Sequence, residues 1–107
     1  MDYYREAIIF VEDLVDARRK ERVELLMPLY CNLAQVHLKL GEHSSAEEVT
    51  GKALDIAEIP RNGVQPPLKA KARFRRGLAR RALGKLEDAR EDLAAAHKLQ
   101  PFSEEVS

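Results

Sequence analysis

Gly41-Glu42-His43-Ser44-Ser45-Ala46 and Gly84-Lys85-Leu86-Glu87-Asp88-Ala89 decide the fold of this chain, because they are one turn written twice. In both, a glycine directly follows a leucine that closes an apolar run of helical period, and an alanine stands five residues on. A glycine just past a periodic run is a helix stop, and the polar residues after it begin the next helix. Asp2-Tyr3-Tyr4-Arg5-Glu6-Ala7 fits the same frame without the glycine. Such an internal repeat is the signature of stacked helical hairpins.

Outward from these turns the pattern is helical throughout. Ala7, Ile8, Phe10, Val11, Leu14 and Val15 recur at spacings of three and four, which predicts a helix over about residues 3–20. Leu25, Leu26, Leu29, Leu33, Ala34, Val36 and Leu40 predict a second, ended by Gly41, in which Pro28 either kinks the helix or marks its first turn. Ser44 and Ser45 cap a third, which carries Ala46, Val49, Ala53, Leu54 and Ile56, with Glu47 and Glu48 favourable in its first turn. Pro60, Asn62, Gly63, Pro66 and Pro67 form the one real loop. A fourth helix is expected from about Leu68 to Leu83 and a fifth from Leu86 to Leu99, with residues 102–107 the start of a sixth. No alternating, turn-flanked strand pattern occurs, so the fold class is all-α: about five helices in antiparallel pairs, plus the start of a sixth.

Composition agrees with one domain and a modest core. The chain has 107 residues, 45% of them hydrophobic but only 6% aromatic. No apolar run approaches the roughly 18 residues of a membrane span, and Met1 is followed at once by charged residues, unlike a signal peptide. The one cysteine, Cys31, excludes an internal disulfide, suits a reducing compartment and reads as a small buried hydrophobe. A cytoplasmic location is expected. The net charge is zero but sorted: −5 over residues 1–58, +9 over 59–86 and −4 over 87–107. The middle block calls for an acidic partner, a carboxylate peptide or a phosphate backbone.

Lined up on its turns, the chain resembles tetratricopeptide-repeat (TPR) domains. Gly77 is the small residue where two helices cross, Leu83-Gly84 closes the first helix of a unit, Ala89 and Ala96 admit close packing of the second, and Pro101 ends the unit. Ala34, Leu40-Gly41, Ala46 and Ala53 play these parts one repeat earlier. A TPR unit has about 34 residues, whereas Ala7 to Ala46 spans 39 and Ala46 to Ala89 spans 43. The excess falls in connections at about residues 20–27 and 58–67. The resemblance divides the chain into the second helix of a first repeat (1–22), a second repeat (23–60), a third (66–101) and the start of a capping helix (102–107).

Two stretches resemble the carboxylate-clamp TPR domains of FKBP-type immunophilins and related co-chaperones. Leu29-Tyr30-Cys31-Asn32-Leu33-Ala34, running on to Leu38-Lys39-Leu40-Gly41, is similar to the first helix of their second repeat. Lys71-Ala72-Arg73-Phe74-Arg75-Arg76-Gly77 is similar to the first helix of their third. In that family an Asn in the former, and a Lys and an Arg four apart in the latter, hold the C-terminal carboxylates of heat-shock chaperones of the seventy- or ninety-kilodalton class, whose tail ends Glu-Glu-Val-Asp. The resemblance puts these roles on Asn32, Lys71 and Arg75, with Gln35, Lys39 and Phe74 lining the groove. The chemistry suits them: Lys71 and Arg75 share a helix face, and Asn32 donates without adding charge. The family's first repeat supplies a further Lys and Asn from a helix that would precede Met1, so two of five clamp positions fall outside this chain. An isomerase domain upstream is expected if the parent is an immunophilin.

Other chemistries find less support. Arg73, Arg76, Arg80 and Arg81 admit a nucleic-acid reading, but no aromatic interleaving beyond Phe74 supports it, and these arginines better suit the acids Glu87, Asp88, Glu91 and Asp92 or those of neighbouring helices. His37, His43 and His97 lack metal-ligand spacing, and no glycine-rich phosphate loop occurs, so no metal and no cofactor is expected. Ser44 and Ser45 beside His43 imply no oxyanion loop or orienting acid, so no catalysis is expected of this chain. A scaffold that self-associates through uncapped helices is the alternative to peptide binding.

Overall fold

A computed structural model describes residues 2–14 and 19–100. The elements are α1 (Asp2–Leu14), α2 (Arg19–Lys39), α3 (His43–Ala57), a 3-10 turn (Pro60–Asn62), α4 (Pro66–Ala82) and α5 (Leu86–Leu99). No strand occurs among the described residues. Each helix packs on the next, and α2 also meets α4, so α2 and α4 line one layer with α3 and α5 behind them.

The two glycine turns are one structure. Gly41 and Gly84 have φ of 77° and 82°, a left-handed conformation that a Cβ disfavours. Across the first turn Glu42 N–H donates to His37 O at 2.8 Å and Gly41 N–H to Leu38 O at 3.1 Å. Across the second, Lys85 N–H donates to Arg80 O at 2.8 Å and Gly84 N–H to Arg81 O at 3.1 Å. This paired closure satisfies the last carbonyls of each first helix and reverses the chain.

The core gathers Leu26, Met27, Leu33 and Ala34 of α2 with Val49, Ala53 and Leu54 of α3, Ile8 of α1 and Ala72 of α4. α2 buries the face that carries Val23, Leu26, Met27, Tyr30, Leu33 and Ala34, because α1, α3 and α4 all pack on it. Small residues set the close approach elsewhere: Ala70, Ala72, Gly77 and Ala79 of α4 and Ala89 and Ala96 of α5 are all buried. Gly77 is the tightest point, since a Cβ there would lie 2.7 Å from Leu93 Cδ2 and 2.8 Å from its Cγ.

Several sequence expectations are corrected. Residues 20–27 are not a connection but the first turns of α2, with Val23, Leu26 and Met27 buried. Of the two readings of Pro28, the first-turn one is excluded, since it lies inside a continuous helix. Its missing N–H removes the usual helical donor to the Glu24 carbonyl, and Pro28 and Glu24 are both exposed, where solvent can reach that carbonyl. Leu25 and Leu40, expected on the apolar face, are 49% and 60% exposed. Ser44 and Ser45 do not cap α3: the N-cap is Glu42, with no side-chain bond to the helix end, and Glu42 Oε1 instead lies 2.6 Å from His37 Nδ1. Pro66 and Pro67 open α4, two residues earlier than expected, where a proline loses no helix bond. Val15, part of the first helix's expected face, and residues 102–107, expected to start a sixth helix, lie outside the described residues.

Candidate functional site

The nine bases of residues 59–86 are sorted by the geometry of α4. At about 100° per residue, Arg73, Arg76 and Arg80 share one side of the helix and Lys71 and Arg75 the opposite side. The first three converge on Asp92 of α5, which is 1% exposed. Arg76 donates from Nε and Nη2 to its two carboxylate oxygens at 2.8 Å each, Arg73 Nη1 at 3.0 Å and Arg80 Nη1 at 2.9 Å. Arg73 also reaches Glu58 at 2.8 Å, and Arg80 and Lys85 both reach Glu47 at 2.9 Å. Burial alone would raise the Asp92 pKa, but the bonds and charges of Arg76, Arg73 and Arg80 outweigh it and hold the carboxyl below its ordinary range. Three of the four arginines that admitted a nucleic-acid reading are thus committed to internal acids, as the alternative reading of them expected.

The other side of α4 faces α2. Arg75 is half-buried and donates from Nη1 to the backbone carbonyl of Cys31 at 2.6 Å. Burial lowers the Arg75 pKa, which still leaves it charged at neutral pH. Burial raises the Cys31 pKa against the opposing fields of Arg75 and Lys71, so both cations act on the residue next to Asn32. Asn32 and Lys71 are exposed. Gln35 and Lys39 follow Asn32 at three and seven residues, on the same face of α2, half-buried and exposed respectively. Phe74 is half-buried on α4 beside Arg75. No carboxylate pairs with Lys71 or Arg75 among the described residues. α2 and α4 therefore carry two cations without an acid partner and an exposed amide, and Arg75 is the one of the three with a hydrogen bond between the two helices among the described residues.

Sequence reasoning did not find the Cys31 carbonyl, because a backbone acceptor leaves no mark on residue type. The sequence offered Asp92 as one of four candidate acids but did not single it out as the common partner, although the i, i+3, i+7 spacing of Arg73, Arg76 and Arg80 signals one shared face.

Antiparallel helical hairpins, repeated glycine closures and small residues at the crossings define a helical-repeat scaffold of the kind that presents a surface to other proteins. The tetratricopeptide-repeat family matches residues 28–60 and 70–103, and the chain belongs to that family. Tetratricopeptide repeats generally mediate protein–protein interaction. No curated protein and no solved structure matches the chain. No helix among the described residues is long and apolar enough to cross a membrane.

Proposed function

We propose that this chain binds the acidic C-terminal tail of a heat-shock chaperone, of the Glu-Glu-Val-Asp type, as the interaction module of a co-chaperone. Asn32, Lys71 and Arg75 would hold the terminal carboxylates. The observation that carries the reading is the Arg75–Cys31 contact, which ties a cation of α4 to the residue of α2 beside Asn32. One guanidinium donor is used on the carbonyl and four remain, in a fork whose position is already fixed. Charge-assisted hydrogen bonds are worth about 1.5–3 kcal/mol when partly desolvated, but an exposed ion pair is worth only about 0.2–1 kcal/mol. Arg75, half-buried, is therefore the stronger contributor and exposed Lys71 the weaker. Titration with a Glu-Glu-Val-Asp peptide tests this. Arg75→Ala should weaken binding about tenfold or more and Lys71→Ala a few-fold; unchanged affinity in both would reject the clamp. The resemblance extends the reading to a parent of the FKBP-type immunophilin kind.

Self-association is the second reading, favoured by the outward face of α1. Tyr3, Ile9 and Phe10 there are 78%, 57% and 64% exposed. Exposed apolar side chains on a helix favour pairing. Light scattering at high concentration tests it, and a clean monomer removes it.

A further inference from the structure

A cavity of ≈ 560 Å³ lies between the first turns of α2 and the connection that leads into α4. It contains none of Asn32, Lys71 or Arg75. Leu68, on its wall, stands one turn before Lys71, and Met27 stands five residues before Asn32, so it is a separate compartment of the same α2–α4 layer. We propose that this cavity is a second docking site, which takes an acidic peptide through one apolar side chain.

The cavity is amphipathic in the required way. Val23, Met27, Val64 and Leu68 form an apolar floor continuous with the core. Arg19, Lys20 and Arg61 stand exposed at the rim, against one acid among its described lining residues, Glu24. Lys20 and Arg61 have no ion pair among the described residues, unlike Arg73, Arg76 and Arg80, whose charge is neutralised inside the fold. The rim is braced: Arg19 Nη1 donates to Asn62 Oδ1 at 3.2 Å, and Asn62 Nδ2 donates to Ile56 O at 2.8 Å. The connection is thus tied to both α2 and α3, and little ordering is left for a ligand to supply. The volume falls in the range of about 300–1,000 Å³ of small-ligand pockets, room for one apolar side chain together with the peptide backbone that flanks it. The excess of cations around an apolar cup selects carboxylates flanking a leucine-like residue.

The test uses the full chain and fluorescein-labelled Glu-Asp-Leu-Asp-Glu amide, which has no terminal carboxylate for Lys71 and Arg75. Anisotropy should show saturable binding that the double variant Lys20→Glu/Arg61→Glu weakens about tenfold or more. Lys71→Ala should leave it unchanged, which separates this site from the clamp. A peptide with serine in place of leucine should bind the unaltered protein several-fold more weakly, a comparison independent of any variant's folding. The proposal is overturned by absence of saturable binding, by equal binding to the double variant, by loss of binding in Lys71→Ala, or by equal binding of the serine peptide. Tighter binding of an oligouridylate than of the peptide would also overturn it.

Discussion

Arg76 grips Asp92 with two parallel donors, Nε to Oδ2 and Nη2 to Oδ1, both at 2.8 Å. This fork joins α4 to α5 across 16 residues of sequence, and Arg73 and Arg80 complete the carboxylate's shell. A buried carboxylate is tolerated only with such complete pairing. Removing it leaves Arg76 without an acid among the described residues and takes one of two acids from Arg73 and from Arg80, each guanidinium having 17–26% of its side chain exposed and so able to recover some hydration. Asp92→Ala should destabilise the fold by about 3 kcal/mol, the lower end of the cost of breaking a buried pair. Urea denaturation monitored by circular dichroism measures it.

The same carboxylate sets the acid limb of stability. Asp92 titrates below its ordinary value because the three arginines outweigh its burial, and Glu47 does so because of its hydrogen bond to Lys85, aided by Arg80. In the unfolded chain these groups titrate at about 3.9 and 4.3. The folded state therefore holds fewer protons than the unfolded one as pH falls through that range, and stability drops with pH. Their contribution is fully present above about pH 5 and is lost progressively below about pH 4. Urea midpoints from about pH 6 to about pH 2.5 should show this fall, and it should be shallower in Asp92→Asn.

Two glycines should respond oppositely to alanine. At Gly77 the new Cβ would meet Leu93 Cγ at 2.8 Å, so α5 must shift or Leu93 must leave its rotamer. Overpacking of this kind costs about 1–3 kcal/mol, more than the up to about 1 kcal/mol that alanine contributes as a helix former. Gly51, inside α3, has open space where a methyl would stand, with nothing within 4 Å, so Gly51→Ala should stabilise by about 0.5–1 kcal/mol. Thermal unfolding of the two variants decides the signs, and Leu93→Ala should relieve the Gly77→Ala defect.

The repeat was legible because its turn has a steric cause. Only a residue free of a Cβ closes the helix comfortably at Gly41 and Gly84, and both close it with matched hydrogen bonds. The start of α2 was not legible. Arg19-Lys20-Glu21-Arg22 reads as a polar connection, yet these residues are good helix formers, and Val23 and Met27 bury on the face they extend. The basic block was legible as charge but not as two faces, since tertiary packing decides which side of α4 meets acids and which meets α2. Of the candidate site, Asn32, Lys71 and Arg75 were named from the resemblance alone, and the contact of Arg75 with the Cys31 carbonyl was not foreseen, because residue type does not encode a backbone acceptor.

In the proposed clamp, Asn32, Lys71 and Arg75 recognise a terminal carboxylate rather than acidity alone. One measurement tests it most directly: isothermal titration of the chain with a peptide ending Glu-Glu-Val-Asp, as the free acid and as the C-terminal amide. The amide keeps the acidic side chains and loses one carboxylate charge. Recognition by the Arg75 fork predicts that amidation weakens binding about tenfold or more. Equal affinity for the two peptides would contradict it.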